Sequence, residues 1–455
     1  MGFIEEYRSK VITAKQAAEM IQSNMIIEYA PWGLAPYKFD VALGDRAGDA
    51  GLEHVNIRAG FSSRMPAIFE KDPEAKTFNF GTWYYSGLDR KMAATPRSTA
   101  FYINNYHEIP YAGKREDLKH KWPDVFVTCA RPMDKHGFFN MGIGNSHCKD
   151  HATSARIVIL EVNKNIPNCL GGFGEGLNLN DVDYIIEEGE HTPIMTLPEP
   201  GKPTAEETEI AELIAAKITN GACLQLGIGG LPNTLGTLLA QSDLKDFGVQ
   251  SEMFCEAFAH LYDAGKITNR YKVIDKYKST YAFGLGTQKL YDFMDNNPNL
   301  ASCPVDYLND PACIRANPKV TSINNILEVD LFTQVCSETS GYRQISGSGG
   351  QLDFAIGAYE SEGGQSFLAF TSTFTDKEGK KHSRVRPTLA PGAVVTTPRS
   401  VVHWLVTEYG MVNVKAMSNW ERAEAVISIA HPDFRDDLIK EAEKMGIWHQ
   451  SQKIR

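Results

Sequence analysis

The sequence predicts two α/β domains, each built on an open, mostly parallel β-sheet with helices between its strands. Three observations favour this fold class. A chain of 455 residues is too long for one ordinary hydrophobic core, so a second domain is expected. Short runs rich in Val and Ile alternate with helical stretches in both halves, which is typical of parallel sheets. A proline-rich segment without apolar periodicity separates the two halves.

The first half contains three compact apolar runs that are typical of buried strands. They cover residues 55–60, 124–130 and 155–162, and each is bounded by Gly, Pro or Asn. Residues 13–23 carry apolar side chains at helical spacing and predict an amphipathic helix. Strands and helices therefore alternate, as a parallel sheet requires.

The boundary between the domains is placed in the segment 189–204, which holds four prolines. Directly after it, Thr204 and Glu207 have the spacing of a capping box at a helix start. Apolar residues then recur on one helical face, at Ile210, Leu213, Ile214 and Ile218. We therefore predict an N-terminal domain of residues 1–195 and a C-terminal domain of residues 196–455.

The second half repeats the strand and helix pattern. Residues 223–228 predict a strand, a glycine-rich loop follows, and residues 234–242 predict a helix. Near the end, the charged stretch 433–446 predicts a last helix after the turn HPDF, with His431 as part of the cap. Two α/β halves of comparable size favour a duplicated unit, although no repeat of fixed period stands out.

Composition and charge exclude several classes of protein. The chain is 42% hydrophobic and 22% charged, which rules out intrinsic disorder and collagen-like repeats. Its net charge of −10 argues against nucleic acid or an anionic membrane as a partner. No apolar run approaches the roughly 20 residues that span a bilayer, and the first residues lack a signal-peptide core. Eight cysteines without a CxxC pair favour reduced thiols in a cytoplasmic protein.

Two glycine-rich loops and one carboxylate are the first candidates for chemistry. Residues 227–233 lie between a predicted strand and a helix, so their backbone amides can approach an anionic ligand closely. Residues 345–358 hold a second such loop. Glu252 follows a probable strand, at the edge of the sheet where α/β ligand sites lie, and suits a nucleophile or general base. Simpler interpretations stay open, namely a tight turn for the glycines and a dipole-stabilised helix start for Glu252.

Other polar clusters favour structural roles. His147 and His151 form an i, i+4 pair with Cys148 between them, but no second ligand cluster accompanies them, so no metal is predicted. The tail motif IAHPDFR contains a candidate acid–base residue in His431, and a helix cap is the favoured role. The basic run 380–387 is typical of a solvated face, with phosphate contact as the alternative.

A set of motifs stands in a fixed order along the chain. They are RPMDKHGFFNMG (131–142), EVNKNIPNCLG (161–171), PVDYLNDP (304–311), SINNILEVDLFTQV (322–335), the glycine loop at 346–354, SRVRPTL (383–389), VTEYG (406–410) and AHPDFR (430–435). The ordered set resembles the acetyl-CoA hydrolase/transferase branch of the family I coenzyme A transferases, above all the 4-hydroxybutyrate and butyryl-CoA:acetate CoA-transferases. The resemblance covers nearly the whole chain.

The resemblance implies two similar α/β domains, with the active site in the cleft between them, and a catalytic glutamate that matches Glu252. Relatives commonly carry a His- or Trp-containing turn before a Gly and a Pro, which contributes to the acyl pocket, and this chain departs from it with EYAPWGLAP (28–36). Where the family often continues the catalytic stretch with Asp-Gly, this chain has Cys255 and Glu256. Oxyanion-stabilising and CoA-binding roles are implied for Gln225, Gly227, Gly229, Gly230, Asn324, Gly349 and Gly350.

The implied activity is a short-chain acyl-CoA:carboxylate CoA-transferase that works through a glutamyl-CoA thioester at Glu252. Acetate, butyrate, 4-hydroxybutyrate, succinate and itaconate stay open as the acids. Coenzyme A is a substrate here, so no cofactor and no metal are expected, and the family resemblance implies a homodimer or homotetramer. Two alternatives remain: an acyl-CoA hydrolase that uses the same glutamate, and a non-catalytic protein that binds CoA ligands on the same scaffold.

Overall fold

A computed structural model describes residues 2–199 and 201–449. The α-helices are α1 (Phe3–Lys10), α2 (Ala14–Glu19), α3 (Lys38–Gly44), α4 (Ala67–Glu70), α5 (Gly87–Ala93), α6 (Cys148–Ser154), α7 (Ala205–Ala215), α8 (Gly230–Gln241), α9 (Glu256–Asp263), α10 (Gln288–Met294), α11 (Val305–Leu308), α12 (Pro311–Arg315), α13 (Gln351–Glu360), α14 (Asn419–Ser428) and α15 (Pro432–Lys444). Within the described ranges, none of the helices has both the length and the apolar character to cross a bilayer.

The strands are short and are distributed along the chain between the helices. They are β1 (Ile26–Tyr29), β2 (Val55–Ala59), β3 (Phe78–Thr82), β4 (Ala100–Phe101), β5 (Val125–Ala130), β6 (Phe138–Asn140), β7 (Ile157–Val162), β8 (Gly176–Asn178), β9 (Tyr184–Ile186), β10 (Cys223–Gln225), β11 (Gly248–Phe254), β12 (Ser279–Gly284), β13 (Leu300–Ser302), β14 (Val320–Asn325), β15 (Glu328–Asp330), β16 (Val335–Cys336), β17 (Thr339–Ser340), β18 (Arg343–Gln344), β19 (Gln365–Ala369), β20 (Thr373–Thr375), β21 (Lys381–Ser383), β22 (Val385–Arg386), β23 (Trp404–Thr407) and β24 (Gly410–Asn413).

The chain divides into two compact units, each made of two stretches of sequence. Unit 1 comprises the chain up to Leu197 together with Thr280–Leu308. Unit 2 comprises Pro198–Ser279 and the chain from Asn309 onward. The predicted domains are the continuous stretches 1–195 and 196–455. In the structure, residues 280–308 lie within the second of these stretches but belong to unit 1, and we call them the exchanged segment.

Backbone hydrogen bonds fix the exchanged segment in unit 1. The Ser146 amide donates to the Ala282 carbonyl at 3.0 Å, and the Asn296 amide donates to the Asn168 carbonyl at 2.8 Å. Several of its apolar side chains are fully buried as well, among them Tyr281. Such long-range pairings leave no periodic signal in the sequence, which is why the exchange escapes a linear domain assignment.

Seven parallel strands form the central sheet of unit 1, in the order β4-β3-β2-β1-β5-β7-β9. Side chains alternate between its two faces. Val127 and Ile159 belong to a buried cluster that includes residues of α2 and α3. Phe126 and Leu160 belong to a second cluster that includes residues of α6. Both faces are therefore covered, as an all-parallel sheet requires.

The sheet of unit 2 follows the same plan. Its strands run in the order β11-β10-β14-β19-β23-β24, all parallel except for the last pair. In each unit, the first strand lies inside the sheet and later strands are added on both sides of it. The predicted fold class, α/β with mostly parallel sheets, is confirmed.

Most of the predicted elements are confirmed, with shifted ends. The three predicted strands correspond to β2, β5 and β7. The side chains of Thr204 and Glu207 form the predicted capping box at the start of α7. At the last helix, the His431 side chain accepts a hydrogen bond from the Asp433 amide at 3.2 Å, which confirms the cap.

Two predicted helices have different bounds in the structure. The helix expected over 13–23 is confined to α2, because the chain turns at Met20 to enter β1. The helix expected at 234–242 begins earlier, at Gly230, because Gly229 acts as its N-cap with a φ of +118°. A left-handed φ of this kind favours glycine, so the glycine loop ends where α8 begins.

Candidate active site

Glu252 lies near the carboxyl end of β11, in the sheet of unit 2. β11 pairs in parallel with β10, and β10 pairs in parallel with β14, so the carboxyl ends of these strands meet at one edge. β11 lies on one side of β10 and β14 lies on the other, so the order in which strands are added to the sheet reverses at β10. Ligand sites in open α/β sheets lie at such a switch point. The sequence predicts Glu252 just after the strand, whereas the structure places it inside the strand.

Two groups hold the Glu252 carboxylate. Nδ2 of Asn309 donates a hydrogen bond to Oε2 at 2.8 Å, and the Gly350 amide also donates to the carboxylate. A Cβ atom at position 350 would lie 2.1 Å from Oε2, so only glycine lets the backbone approach this closely. Gly349 has a φ of +52°, in the left-handed region that favours glycine. The structure thus brings the second glycine loop to the predicted glutamate.

The pKa of Glu252 is raised to about 7. Burial is the main cause, and the buried Asp353 carboxylate acts in the same direction. The hydrogen bonds from Asn309 and Gly350 favour the ionised form and oppose the rise in pKa. A carboxylate that is poorly solvated yet ionises near neutral pH is suited to nucleophilic attack.

Gln225 and Asn324 form a pair of amide side chains on the two neighbouring strands. Nδ2 of Asn324 donates to Oε1 of Gln225 at 3.2 Å, and Nε2 of Gln225 donates to Oδ1 of Asn324 at 3.4 Å. A further bond from Asn324 to the Ser322 hydroxyl, at 2.9 Å, fixes the orientation of the pair. Both residues were predicted from the resemblance to bind CoA, and the structure places them in contact.

The loop after β10 is open at two of its three predicted glycines. A Cβ atom at Gly227 or Gly229 would meet no atom within 4 Å. Gly230 differs, because a Cβ atom there would lie 2.3 Å from a carboxylate oxygen of Glu207 in α7. The packing of α7 against α8 therefore accounts for glycine at position 230, whereas the space around the other two is free for a ligand.

Ser251 links the glycine loop to the strand that carries Glu252. Its buried hydroxyl donates to the Leu226 carbonyl at 3.2 Å, one residue before the loop. Glu252 and Gly350 are in direct contact, and the amide pair and the glycine loop are joined to them through adjacent strands.

In unit 1, the turn EYAPWGLAP places Trp32 in a cluster of aromatic rings. The Trp32 ring stacks on Phe283 with 3.9 Å between centroids, and it lies 6.4 Å from Phe61 and 6.0 Å from Tyr106. Trp32 and Phe61 have φ values of +53° and +55°, which are costly for residues other than glycine. Strained backbone of this kind is concentrated at ligand sites, so the cluster is a candidate ligand surface of unit 1.

A second polar cluster in unit 1 is fully buried around Glu28. Its Oε1 atom lies 3.5 Å from Nε2 of His147 and 3.6 Å from Nδ1 of His151, and these three residues have a spacing that can hold a metal ion. Cys148 does not take part, because its thiol donates to the Gly144 carbonyl. Sequence spacing identifies the two histidines but not Glu28, which is more than a hundred residues away.

Arg58 supplies the counter-charge to the Glu28 carboxylate in this cluster. Nε of Arg58 lies 2.7 Å from Oε2 of Glu28, and the Trp83 indole donates to Oε1 at 2.7 Å. Although burial favours the neutral acid, Arg58 and the two histidines hold the pKa of Glu28 well below its ordinary value. Burial lowers the pKa of His147 to about 4, so that ring is neutral at pH 7. We interpret the cluster as a buried ion pair that stabilises unit 1.

Replacing Glu28 with Gln is expected to lower the free energy of unfolding by about 3–5 kcal/mol, because it leaves the buried Arg58 guanidinium without a counter-charge. Denaturant unfolding followed by tryptophan fluorescence measures this change. Glu74→Gln is the control, since Glu74 pairs with Lys76 on the surface and its loss should change little. Equal stability of the two variants would refute the interpretation.

Comparison with known proteins decides the family. The family model "Acetyl-CoA hydrolase/transferase N-terminal domain" matches residues 2–196, and "Acetyl-CoA hydrolase/transferase C-terminal domain" matches residues 286–442. The butyryl-CoA:acetate CoA-transferase of Anaerostipes caccae is 48% identical over 453 residues, with both chains covered completely. The chain belongs to the acetyl-CoA hydrolase/transferase family. The family predicted from the ordered motifs is therefore confirmed.

One further curated relative and one solved structure are similar to this chain over nearly its whole length. The 4-hydroxybutyrate coenzyme A transferase of Clostridium kluyveri is 37% identical, and the match covers 98% of this chain and all of that one. The crystal structure of RipA from Yersinia pestis superposes with a TM-score of 0.87 at 32% identity, covering 98% of this chain and all of that one. These two curated relatives, from Anaerostipes caccae and Clostridium kluyveri, are named CoA-transferases, in agreement with the predicted enzyme class.

The departures from the family pattern next to Glu252 have simple structural roles. Cys255 is the buried N-cap of α9, and burial raises the pKa of its thiol to about 12. The thiol is therefore protonated at neutral pH and is a poor nucleophile. Glu256 stands in the first turn of α9, where the helix dipole favours a carboxylate.

Sequence reasoning assigns no role to Asn309, although it stands in the family motif PVDYLNDP. Asn309 is fully buried between α11 and α12, and Asp310 beside it caps α12 by accepting from the Ala312 amide at 2.7 Å. The Asp-Pro helix start is a readable signal that fixes the backbone here. The contact with Glu252, 57 residues earlier, is a tertiary one and has no local signal.

Proposed function

We propose that this protein transfers coenzyme A between short-chain carboxylic acids and that Glu252 carries the CoA as a thioester. The observation that carries the proposal is the arrangement at Glu252. A partly buried carboxylate with a raised pKa lies beside the Gly350 amide and the Asn309 side chain, at the switch point of a parallel sheet. The activities named for the relatives are consistent with this chemistry.

The chemistry needs a group that accepts CoA without losing it to water. In the first proposed step, Glu252 attacks the acyl-CoA carbonyl, which forms a mixed anhydride and releases CoA as the thiolate. The thiolate then attacks the glutamyl carbonyl, which forms the enzyme thioester and releases the first acid. The acceptor acid then attacks the glutamyl thioester. Both steps run in reverse, and the acceptor leaves as its CoA thioester. Exchange between two carboxylic acids is nearly neutral in energy, so it requires no other reactant.

Backbone amides are positioned to stabilise the oxyanions of these steps. The Gly350 amide already donates to the Glu252 carboxylate, and the open loop at Gly227 and Gly229 leaves room for the acyl-CoA carbonyl. Loss of one such donor typically lowers the rate by about 10²- to 10³-fold. We propose that the Gly350 amide stabilises the carbonyl oxygen of the Glu252 side chain. We propose that the loop at Gly227 and Gly229 stabilises the carbonyl oxygen of the substrate.

The names of two relatives favour an apolar acyl group. The relatives that are 48% and 45% identical to this chain are named for butyryl-CoA with acetate and for butyrate with acetyl-CoA, and neither name includes a dicarboxylate. We therefore propose butyryl-CoA and acetate as the substrate pair, ahead of 4-hydroxybutyrate and of dicarboxylates such as succinate or itaconate.

An acceptor screen tests this function against the hydrolase alternative. The enzyme receives butyryl-CoA with acetate, 4-hydroxybutyrate, succinate or itaconate, and both acyl-CoA products and free CoA are quantified by chromatography. We expect acetyl-CoA to form with acetate and little free CoA to appear without an acceptor. Acceptor-independent release of CoA would instead assign a hydrolase.

Trapping separates an enzyme from a protein that only binds CoA ligands. Butyryl-CoA without an acceptor should leave the thioester on Glu252, where borohydride reduces it and mass spectrometry of the peptide detects the change. A ligand-binding protein would leave the peptide unmodified. Glu252→Gln, which lacks the carboxylate, serves as the control for chemical background.

Transfer activity should depend on pH through the Glu252 carboxylate. Because the ionised form is the nucleophile and its pKa is raised to about 7, activity is expected to rise with pH and to reach half of its maximum near pH 7. Below that point, it should fall by about tenfold per pH unit. Initial rates at saturating butyryl-CoA measure the profile, and unfolding temperatures over the same range exclude acid denaturation. Transfer activity that stays constant between pH 5 and pH 8, a range of about three pH units that includes the pKa, would contradict the assignment of Glu252 as the nucleophile.

The expectations for cofactors, location and assembly are part of this proposal as well. Coenzyme A enters as a substrate, and we propose that the reaction uses no metal and no further cofactor. The location is proposed to be cytoplasmic, and the assembly is proposed to be a homodimer or homotetramer. The eight cysteines, all within the described residues, form no disulfide bond, which is consistent with a reducing compartment.

A further inference from the structure

One loop of unit 2 exposes three large apolar side chains close together in sequence. In residues 269–278, which we call the tyrosine loop, Tyr271 is 56% exposed, Val273 is 69% exposed and Tyr277 is 61% exposed. Single exposed apolar residues are common on soluble proteins, whereas a group of neighbouring ones marks an interaction surface. The tyrosine loop is therefore a candidate surface for a partner.

Buried polar side chains fix the backbone that carries these exposed residues. Nζ of the buried Lys272 donates to the Val249 carbonyl at 2.9 Å and to the Lys278 carbonyl at 2.7 Å. Oδ1 of the buried Asn317 accepts a hydrogen bond from the Val273 amide at 2.8 Å. A loop that is already ordered loses little conformational entropy when a partner binds, and this favours association.

Tyr277 has a costly backbone conformation. Its φ of +69° lies in the left-handed region, which glycine adopts without strain and which is unusual for a bulky residue. The side chain is exposed, so packing inside unit 2 does not require a tyrosine at this position. Strained backbone persists mainly where function requires it. A binding role for the ring accounts for tyrosine at a position that favours glycine.

The tyrosine loop is basic, whereas the chain as a whole is acidic. The loop contains four basic residues (Arg270, Lys272, Lys276 and Lys278) and one acid (Asp275), which gives it a net charge of +3 in a chain whose total is −10. The rest of the chain therefore carries a net charge of −13. Because complementary charges select partners, the tyrosine loop fits an acidic surface, and a second copy of this chain offers one.

Helix α7 is an acidic surface close to the tyrosine loop. It contains four glutamates and neither Lys nor Arg. Three of them, Glu206, Glu209 and Glu212, are exposed and follow each other at a spacing of three residues, so they extend along one side of the helix over about 9 Å. The chain leaves α7 and reaches Gly221, where a Cβ atom would lie 2.9 Å from the Tyr271 ring. Unit 2 therefore presents the basic loop and the acidic helix as neighbours.

We propose that two copies of this chain associate with the tyrosine loop of each copy on α7 of the other. A two-fold axis produces both contacts at once, because each copy carries both surfaces. The basic side chains of the loop then face the glutamates of α7, and the rings of Tyr271 and Tyr277 are shielded from water between them. The Val249 carbonyl that holds the loop and Glu252 lie toward opposite ends of β11, so these surfaces are separate from the proposed chemistry. They specify which faces of the proposed homo-oligomer meet.

Sedimentation velocity of the wild type and of Tyr277→Gly tests the role of the loop. Glycine adopts a φ of +69° without strain, so the variant should unfold at the wild-type temperature or above it. We expect the dissociation constant of the oligomer to rise at least about tenfold, as for an aromatic anchor of an interface. Tyr342→Gly is the control, because Tyr342 is 93% exposed and lies outside the loop, and it should associate like the wild type. A wild type with the mass of a single chain, or unchanged association of Tyr277→Gly, would overturn the proposal.

Charge reversal tests whether α7 is the opposite surface. The double variant Arg270→Glu, Lys276→Glu places two negative charges in the loop, and the double variant Glu209→Lys, Glu212→Lys places two positive charges on α7. Each alone should associate at least about tenfold more weakly, because like charges then meet. An equimolar mixture of the two should regain wild-type association, because every loop then faces an α7 of opposite charge.

Two outcomes of these measurements would overturn the pairing of loop and helix. A mixture that does not regain association would remove α7 as the opposite surface. A wild type that sediments as a single chain, and faster only when single-stranded RNA is added, would assign the tyrosine loop to a polyanion instead of a second copy. Either result would leave CoA transfer through Glu252 untouched, since that reaction is measured separately.

Discussion

Glu252→Gln is expected to lower CoA transfer by at least about 10³-fold, the largest effect of any single substitution in this protein. The amide is close in size to the carboxylate and keeps the hydrogen bond from Asn309 through its carbonyl oxygen. It lacks the negative charge that attacks the thioester. Measured rates of acetyl-CoA formation from butyryl-CoA and acetate give the effect, and an unchanged unfolding temperature shows that the loss is chemical.

Glu256→Gln is the matched control for this experiment. Glu256 is the next carboxylate along the chain and belongs to the first turn of α9. Its replacement should leave transfer close to that of the wild type. Near-normal transfer by Glu252→Gln, or an equal loss in both variants, would remove Glu252 as the nucleophile.

Gly350→Ala is expected to lower transfer by about 10²- to 10³-fold without unfolding the protein. Position 350 has a φ of −92°, which alanine adopts without strain, so the backbone itself tolerates the change. The new methyl group would instead lie 2.1 Å from Oε2 of Glu252 and 2.3 Å from Nδ2 of Asn309. One of these groups has to move, and the carboxylate then loses the amide donor that stabilises its oxyanion.

Gly2→Ala provides the control for a glycine at a helix start. Gly2 is the N-cap of α1, has a φ of −73° and leaves space for a Cβ atom, with no atom within 4 Å. Steady-state rates and unfolding temperatures of both variants are compared with the wild type. If Gly350→Ala kept full activity, the close approach of the Gly350 backbone to Glu252 would have no catalytic role.

The sequence predicts those features of the site that have local signals. Glu252 stands beside a buried strand, and the glycines at 227–230 and 349–350 stand between strands and helices, so pattern and turn chemistry identify them. The ordered motifs identify the family. The structure then places Gly350 against the predicted glutamate. Signals of this kind are readable because short stretches of sequence determine short stretches of backbone.

Features that depend on contacts between distant residues are not predictable in this way. Asn309 reaches Glu252 across 57 residues, and Glu28 joins His147 and His151 only because β1 lies inside the sheet of unit 1. Gly230 shows the opposite case, since the sequence predicts a ligand contact and the packing of Glu207 explains the glycine as well. In each case the deciding contact is made by tertiary packing, which leaves no periodicity in the sequence.

The exchanged segment 280–308 has a consequence for how the protein is made. Its side chains Tyr281, Leu290 and Leu300 are buried and belong to unit 1, yet the ribosome synthesises them after the strand that carries Glu252. At about 5–20 residues per second, unit 1 lacks these side chains for roughly ten seconds after Leu197 has been added. The nascent chain therefore cannot finish its first unit until residues 198–279 of its second have been synthesised, whereas the larger part of the second unit follows afterwards.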